Sequence, residues 1–338
     1  MLYRLPECER VCSGICNRLF GDINIVIIIE LSNSLAFFIT LFEYLRNLNK
    51  DDYNECKLLC ESIDRFAPEL DHFIFVNDED IKLFQSLCYG RHKVYKKSTI
   101  LPWFMIRVPI KILGHHFHIS PITIPVREWI IQQICKLGVF EVIGDQYEAV
   151  FNIDSETVFM KPFNINSWKK EGKYIMYRVE DTNEPSHDEY CQSAKKLLKL
   201  PQSLKDIGKF NYMSTPTCFV RENTNLLLHR IKKNSFWKSW KIALCNTYRF
   251  SEYYTYGIFT DKELNLKKHY IIEKHLFPLI DISECPDIES FIASMNQSLS
   301  DPDTIGVWLQ KKNRKALSGK YLSFEKINKV VHQYWNNL

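Results

Sequence analysis

Two carboxylates, Asp154 and Glu156, follow a short apolar segment and are separated by a single residue. In a β-strand, side chains two positions apart lie on the same face, so the spacing predicts that both project from a strand end. Two acids near a core lose hydration and repel each other, so they need a partner of opposite charge. A divalent cation is the simplest partner, and a cation held there could bind a diphosphate. The alternative is a turn in which both acids accept hydrogen bonds from backbone N–H groups.

Other polar residues also occupy positions that could serve chemistry. Asn77 and Asp78 end a second compact apolar segment, where they either line the same strand edge or cap the next helix. Glu252 lies within an aromatic cluster at 250–259. An apolar surround disfavours the carboxylate form, which is typical of a general base for a hydroxyl, although a surface acid beside a tyrosine-rich core edge is the alternative. Gln133 and Lys136 share a helix face, and Lys136 either meets an anion or is solvated.

The elements that must position these residues alternate along the chain. After a short helix within 1–20, a strand is predicted at 23–29, and the apolar segment 35–42 fits either strand or helix. Helices are predicted at 51–66, 79–87, 126–140 and 223–232, with strands at 72–78, before Asp154, at 173–178 and at 216–220. Residues 93–125 are expected to form a long ordered excursion, and 183–187 a polar loop. Alternating strands and helices predict a parallel sheet, which binds ligands outside the carboxyl ends of its strands.

Composition limits the classes of function. Of 338 residues, 46% are hydrophobic and 25% charged, which suits one large α/β domain with additions, or two domains. A net charge of +4 without a long basic block does not favour nucleic acid. The 11 cysteines include no C-x-x-C pair, so the sequence does not predict structural zinc, and their odd number without a signal peptide favours reduced thiols in the cytoplasm. The uncharged stretch at 31–42 is too short to span a bilayer, so any membrane association would be peripheral, at the inner face.

Three segments carry a resemblance to a known class of enzyme. Residues 152–163 read Asn-Ile-Asp-Ser-Glu-Thr-Val-Phe-Met-Lys-Pro-Phe. This segment resembles the D-x-D strand of GT-A-type glycosyltransferases, often written L-D-S-D-x-V-F-x-x-P-F, with Glu156 in place of the second Asp. Residues 127–137 are similar to the W-x-x-Q-Q-x-x-K-L helix of a largely uncharacterised glycosyltransferase-like family found in bacterial polysaccharide gene sets. Residues 250–257 resemble the S-E-Y-x-x-Y-G segment of that family, and the similarity runs from about residue 51 to residue 310.

The resemblance implies a role for each candidate. It implies that Glu156 binds Mn²⁺ or Mg²⁺ directly, and that Asp154 contacts the ribose or the metal of a nucleotide-diphosphate sugar, with a UDP-sugar as first choice. Gln133 and Lys136 would bind the same donor. Glu252 would be the base in an inverting reaction, or would position the acceptor in a retaining one.

Less specific expectations concern seven residues. The resemblance implies that Asn77 and Asp78 lie near the nucleobase, and it makes His332 a candidate to complete the metal shell. Adjacent histidines point in different directions, so we expect a loop role near the acceptor for the histidines at 115, 116 and 118. Arg127 is a candidate anion contact.

These observations predict an α/β protein with a GT-A-like (Rossmann-like), mostly parallel central sheet, flanking helices and C-terminal helical or loop additions. We expect an N-terminal extension with a possible first strand at 1–50, a nucleotide-sugar-binding half at 51–165, an acceptor-binding half at 166–310 and a tail at 311–338. The predicted function is metal-dependent transfer of a sugar to a glycan or lipid-linked glycan acceptor in surface polysaccharide biosynthesis. The alternatives are a non-catalytic relative that binds a glycan or protein partner, and a metal-dependent nucleotidyltransferase or phosphohydrolase.

Overall fold

A computed structural model describes the backbone of residues 24–30, 37–41, 49–110, 116–181, 185–201, 204, 207–310 and 322–338. Side chains are described from residue 52 onward within those ranges, except at 185 and 186. The chain forms a mixed α/β fold in which helices pack on both faces of a six-stranded sheet. This confirms the α/β class predicted from the sequence.

The strands are numbered in chain order. They are β1 Asn24–Glu30, β2 Phe37–Leu41, β3 Leu70–Val76, β4 His92–Lys96, β5 Ile106–Arg107, β6 Phe117–Ser120, β7 Thr123–Arg127, β8 Ala149–Asn152, β9 Thr157–Phe159, β10 Lys169–Lys170, β11 Lys173–Tyr177, β12 Val179–Glu180, β13 Phe210–Asn211, β14 Thr217–Val220, β15 His269–Ile272, β16 Leu279–Asp281 and β17 Gly306–Gln310. The α-helices are α1 Asn49–Phe66, α2 Ile81–Phe84, α3 Glu128–Gly138, α4 Pro185–Leu198, α5 Arg221–Asn234, α6 Trp240–Cys245, α7 Glu252–Ile258, α8 Ile288–Leu299 and α9 Phe324–Asn336. A π-helical turn, Phe259–Glu263, continues α7.

The central sheet has the order β14-β8-β2-β1-β3-β4. Strands β8, β2, β3 and β4 run in one direction, whereas β1 and β14 are antiparallel to their neighbours. The sheet is therefore mixed and not mostly parallel as the sequence suggested. The chain length explains β1, because six residues join it to β2 and a parallel connection needs a dozen or more.

Strand β3 is buried along its whole length, and alternate residues of the central strands face opposite sides of the sheet. Ile74 of β3 and Phe151 of β8 join a hydrophobic layer formed with α1, α8 and α9. Phe73 of β3 and Val150 of β8 join a second layer formed with α3, α4, α5, α6 and α7. Burial on both faces explains why these strands read as continuous apolar segments and not as alternating ones.

Most predicted elements are confirmed. The strand at 23–29 and the helices at 51–66, 126–140 and 223–232 correspond to β1, α1, α3 and α5, and the ambiguous segment at 35–42 contains strand β2. The helix expected at 79–87 is a single turn, α2, followed by a 3-10 turn. Residues 93–125 contain β4 and part of an antiparallel three-stranded sheet formed by β5, β6 and β7. The helix predicted within 1–20 lies outside the described residues.

One later region differs from the sequence-based expectation, whereas the C-terminal tail fits the predicted helical or loop additions. Helix α4 begins at Pro185, within the segment 183–187 that was expected to be a polar loop. Pro fits the first turn of a helix, where its missing N–H would have no intrahelical partner. The tail at 311–338 contains helix α9, and its residues 311–321 lie outside the description. None of the described helices is both long enough and apolar enough to cross a membrane.

Candidate functional site

The two acids lie in a turn that follows β8. The ladder of β8 ends at Asn152, which pairs with β2 on one side and with β14 on the other. The backbone N–H of Thr157 then donates to the Asp154 carbonyl at 3.0 Å, and β9 continues the chain into a different sheet. Asp154 and Glu156 are thus not consecutive same-face residues of a strand, which was the geometric basis of the prediction. The turn is nevertheless fixed, because the Asp154 backbone N–H donates to the Thr215 hydroxyl at 3.0 Å.

A cleft of about 140 Å³ opens beside this turn. Its lining includes five residues singled out from the sequence, namely Gln133, Lys136, Asp154, Glu156 and Glu252. They come from three separate elements: helix α3, the turn after β8 and the start of α7. The cleft lies at the carboxyl end of β8, which is where open α/β sheets bind ligands.

Lys136 is the electrostatic centre of the cleft. Its ammonium Nζ lies 2.7 Å from Glu252 Oε1 and 3.7 Å from Asp154 Oδ1. It also donates a hydrogen bond to the Tyr253 hydroxyl at 2.7 Å. The side chain of Lys136 is 6% exposed and that of Glu252 is 4% exposed, so the pair is almost completely removed from water. The solvated lysine that was one alternative from the sequence is therefore ruled out by its burial.

Burial and the neighbouring charges shift the pKa values of both Lys136 and Asp154. Burial alone lowers the pKa of Lys136, but Glu252, Tyr253 and Asp154 together raise it well above its usual value. Burial raises the pKa of Asp154, Lys136 opposes that shift, and the negative charge of Glu252 adds to it. Lys136 is therefore an ammonium at neutral pH, and it is shared between two carboxylates.

Helix α7 presents Glu252 through its first turn. The Ser251 side chain caps the helix by accepting from the Tyr254 backbone N–H, which places Glu252 at the first helical position. The Glu252 backbone N–H in turn donates to Gln133 Oε1 at 3.0 Å. The Gln-Gln-x-x-Lys helix and the Ser-Glu-Tyr segment, which the sequence suggested independently, are thus joined by a direct hydrogen bond.

The cleft is also lined by residues that sequence reasoning did not select as site residues, among them Trp129, Gln132, Tyr190, Trp308 and Gln310. The rings of Trp129 and Tyr190 pack against each other in a tilted arrangement, with their centroids 5.8 Å apart. The buried Gln132 Nε2 and Trp308 Nε1 have no hydrogen-bond acceptor in the described part of the chain. These two buried donors are left for acceptors that the described part of the chain does not supply, such as water or the oxygen atoms of a ligand. Trp129 and Gln132 could have been predicted as site residues, because they share the face of α3 with Lys136. Trp308 and Gln310 could not, because the sequence of β17 contains no local signal of a binding site.

Asn77 and Asp78 do not line this cleft. The Asn77 amide oxygen accepts from Lys97 Nζ at 2.9 Å, and Lys97 also pairs with Glu128 at 2.8 Å. Burial raises the pKa of Glu128, but Lys97, His118 and Arg107 outweigh this effect and hold it at about 2. Asn77 is therefore part of a separate buried network at the start of α3, while Asp78 is exposed.

The histidine and arginine candidates also lie elsewhere. His115 is outside the described residues, while His116 and His118 are buried next to the Glu128 network. Arg127 donates to the Tyr248 hydroxyl at 3.3 Å, away from the lining of the cleft. His332, on α9, pairs with a glutamate of α1 at 3.3 Å. None of these contacts brings a histidine or Arg127 to Asp154 and Glu156 among the described residues.

The carboxylates of the cleft offer hard oxygen ligands of the type that Mn²⁺ and Mg²⁺ prefer. Asp154 and Glu252 share one ammonium, and Glu156 adds a third carboxylate to the lining. The three acids do not form a close group, however. Across the described residues, the group whose ligand atoms all lie within 4.8 Å of one another consists of a cysteine and two histidines at another place in the fold. A cation in the cleft would therefore need side-chain movement or oxygen atoms from a ligand.

Comparison with known proteins places the chain in a family. Residues 24–290 match the family of unknown function DUF6492, and since the match covers most of the chain, the protein belongs to that family. No curated protein matches the chain. Because the family has no assigned activity, a function can be inferred only from the residues of the cleft.

Proposed function

We propose that this protein is a metal-dependent glycosyltransferase of GT-A type that acts in the cytoplasm or at the inner face of the membrane. It would move a sugar from a nucleotide-diphosphate sugar, first a UDP-sugar, to a glycan or lipid-linked glycan in surface polysaccharide biosynthesis. One observation carries the proposal: Gln133, Lys136, Asp154, Glu156 and Glu252, which lie in three segments resembling such enzymes, line a single cleft. In a protein of 338 residues, a common location for three separately chosen segments supports a shared ligand.

The strand directions of the central sheet support a GT-A-like fold in part. Four of its strands share one direction, and the cleft lies at the carboxyl end of β8, one of those four. This is the position at which a nucleotide binds in doubly wound α/β folds. The antiparallel β1 and β14 are additions to that arrangement.

Asp154 and Glu156 are the residues that would hold Mn²⁺ or Mg²⁺ together with the donor diphosphate. A nucleoside diphosphate leaves readily only when its developing charge is neutralised, which the cation supplies. Lys136 is positioned to contribute a second positive charge, because its ammonium lies 3.7 Å from Asp154. When phosphate oxygens draw that ammonium away from Glu252, the freed carboxylate becomes available to an acceptor hydroxyl.

The walls of the cleft suit a sugar nucleotide. Trp129 and Tyr190 offer aromatic surface for a flat ring, and Gln132 Nε2 and Trp308 Nε1 offer N–H donors to hydroxyl or phosphate oxygens. These residues stand on α3, α4 and β17, so the ligand would contact elements from both faces of the central sheet.

A thermal-shift titration with UDP, with and without Mn²⁺, tests the proposal. A ligand that binds only the native state stabilises it by about 2.7 kcal/mol at 100 times its dissociation constant, so a melting-temperature rise that requires Mn²⁺ is expected. Glu156→Gln keeps the shape of the side chain but removes the charge, and it should weaken Mn²⁺-dependent UDP binding by about tenfold or more. Glu289→Gln, an exposed position on α8, is the matched control and should behave as wild type.

The outcomes separate the alternatives. Absence of a metal-dependent shift with any nucleoside diphosphate would contradict the proposal. Binding without turnover of any UDP-sugar in the presence of glycan acceptors would favour a non-catalytic relative. Consumption of the nucleotide without an acceptor would favour a nucleotidyltransferase or phosphohydrolase.

A further inference from the structure

A cysteine and two histidines converge between helix α1 and the strands β3 and β4. Cys60 lies on α1, His72 on β3 and His92 at the start of β4, and the two histidines are register partners in the parallel pair. All three are buried, with relative exposures of 0%, 0% and 1%. Their ligand atoms lie within 4.8 Å of one another. Residues 12 and 20 positions apart carry no recognisable motif, so only the fold brings them together.

The three ligand atoms lie close enough together to surround one ion, and one of their separations already fits a tetrahedral metal site. The Cys60 Sγ lies 3.6 Å from His72 Nδ1, and the Nδ1 atoms of His72 and His92 contact each other. Zinc–sulfur and zinc–nitrogen bonds of about 2.3 and 2.0–2.1 Å at tetrahedral angles place sulfur and nitrogen about 3.6 Å apart. The separation of Cys60 Sγ and His72 Nδ1 therefore matches one edge of a tetrahedron around an ion. The two imidazole nitrogens are closer than the ~3.3 Å of a second edge, so the rings must move apart by about an ångström to bind one ion.

A second shell fixes the orientation of His92. Its Nε2 lies 3.0 Å from Asp64 Oδ1, and the Tyr89 hydroxyl donates to Asp64 Oδ2 at 3.0 Å. With Nε2–H donating to the carboxylate, the Nδ1 lone pair of His92 points toward Cys60 and His72. This carboxylate–histidine arrangement is the usual support of a metal-binding histidine, because it sets the tautomer and raises the basicity of the ligand nitrogen.

We propose that Cys60, His72 and His92 bind a structural Zn²⁺. Thiolate and imidazole are the ligands that zinc prefers over Mg²⁺ or Ca²⁺, which take oxygen. Cys56, one helical turn before Cys60 and also buried, interacts with the Cys60 thiol but lies outside the close group, so it could take the fourth position only after a side-chain movement. The site would fasten α1 to the β3–β4 edge of the sheet. It lies near the amino ends of these strands, at the opposite edge from the cleft, so it is independent of the proposed transferase chemistry.

Metal titration of the chelator-stripped, reduced protein tests this site. We expect one equivalent of Zn²⁺ to raise the melting temperature, and one equivalent of Co²⁺ to give a thiolate-to-cobalt charge-transfer band with the intense visible bands of four-coordinate cobalt. Cys60→Ser should reduce the charge-transfer band by at least half, and Cys60→Ser combined with Cys56→Ser should abolish it. Cys218→Ser is the matched control, because Cys218 is equally buried but stands on β14 within the core.

A second variant keeps the test decisive if Cys60→Ser does not fold. Asp64 has a side chain that is 48% exposed, so Asp64→Asn should preserve the fold while lowering metal affinity by about 10–100-fold. Failure of the folded wild type to bind Zn²⁺ or Co²⁺ stoichiometrically would overturn the proposal. So would equal metal binding by wild type and Asp64→Asn. In either case, the cluster would be a buried hydrogen-bonded chain of Cys60, His72, His92 and Asp64.

Discussion

Replacement of Lys136 by methionine should destabilise the protein strongly, because it leaves Asp154 and Glu252 beside each other without their shared cation. At an effective dielectric constant of about 20, the gross attraction of the ammonium is ~6 kcal/mol for Glu252 at 2.7 Å and ~4.5 kcal/mol for Asp154 at 3.7 Å. Much of that attraction offsets the cost of removing the charges from water. The expected loss in the free energy of unfolding is therefore about 3–5 kcal/mol, as for other buried pairs that lose one partner.

Urea denaturation at pH 7, followed by tryptophan fluorescence, measures this loss as a shift in midpoint at constant slope. Lys232→Met, at an exposed position in the last turn of α5, is the control and should change stability by less than about 0.5 kcal/mol. The double variant Lys136→Met/Glu252→Gln carries one fewer uncompensated charge. It should regain about 2 kcal/mol or more relative to Lys136→Met, which a double-mutant cycle reports as coupling.

Two results of these measurements would contradict the prediction. A loss below about 1 kcal/mol for Lys136→Met would show that the ammonium is not the counter-charge of the cleft. Additive effects of Lys136→Met and Glu252→Gln would show that the two side chains do not interact, whatever their separation.

Two further predictions concern buried positions outside the cleft, His269 and Gly306. His269 is buried and accepts a hydrogen bond from the Tyr256 hydroxyl. Burial lowers the pKa of His269 to about 4. As the pH falls from 6.5 to 4, the unfolded chain therefore binds a proton that the folded chain does not. The free energy of unfolding should therefore fall by roughly 2 kcal/mol by pH 5 and by about 3 kcal/mol in full. In His269→Gln, urea midpoints measured over this pH range should depend less on pH. An unchanged pH dependence would contradict the prediction. A Cβ on Gly306 would lie 2.3 Å from both the Val158 carbonyl oxygen and Phe277 Cε1. Gly306→Ala should therefore lower the free energy of unfolding by about 1–3 kcal/mol in the same assay. A neutral result would refute the close packing.

The sequence predicted most of the elements that hold the site, because their signals are local. Helices α1 and α3 have a continuous apolar stripe, and β3 and β8 are short apolar segments that end in polar residues. The direction of β1 was not predictable from its own residues, because it depends on the short connection to β2. Helix α4 was missed because its polar start resembles a loop.

The site was predictable only where one segment carries several of its residues. Gln133 and Lys136 share a face of α3, and this spacing correctly indicated a common environment. The turn at Asp154 was not foreseen, because it follows from where the pairing of β8 ends and not from the acids themselves. Trp308 and the cluster of Cys60, His72 and His92 depend on contacts between distant segments, for which single-sequence patterns contain no signal.

The hydrogen bonds of Lys136 also determine how this residue reacts with chemicals. Acylating reagents attack a free amine, and an ammonium enclosed by two carboxylates and a phenol hydroxyl exposes no lone pair. Lys136 therefore belongs among the least reactive amines of the protein for as long as those contacts persist. An occupant of the cleft that pulled the side chain toward itself would keep it equally shielded. A rise in its labelling would instead mark the opening of the surrounding structure, which makes Lys136 an internal reporter of local unfolding.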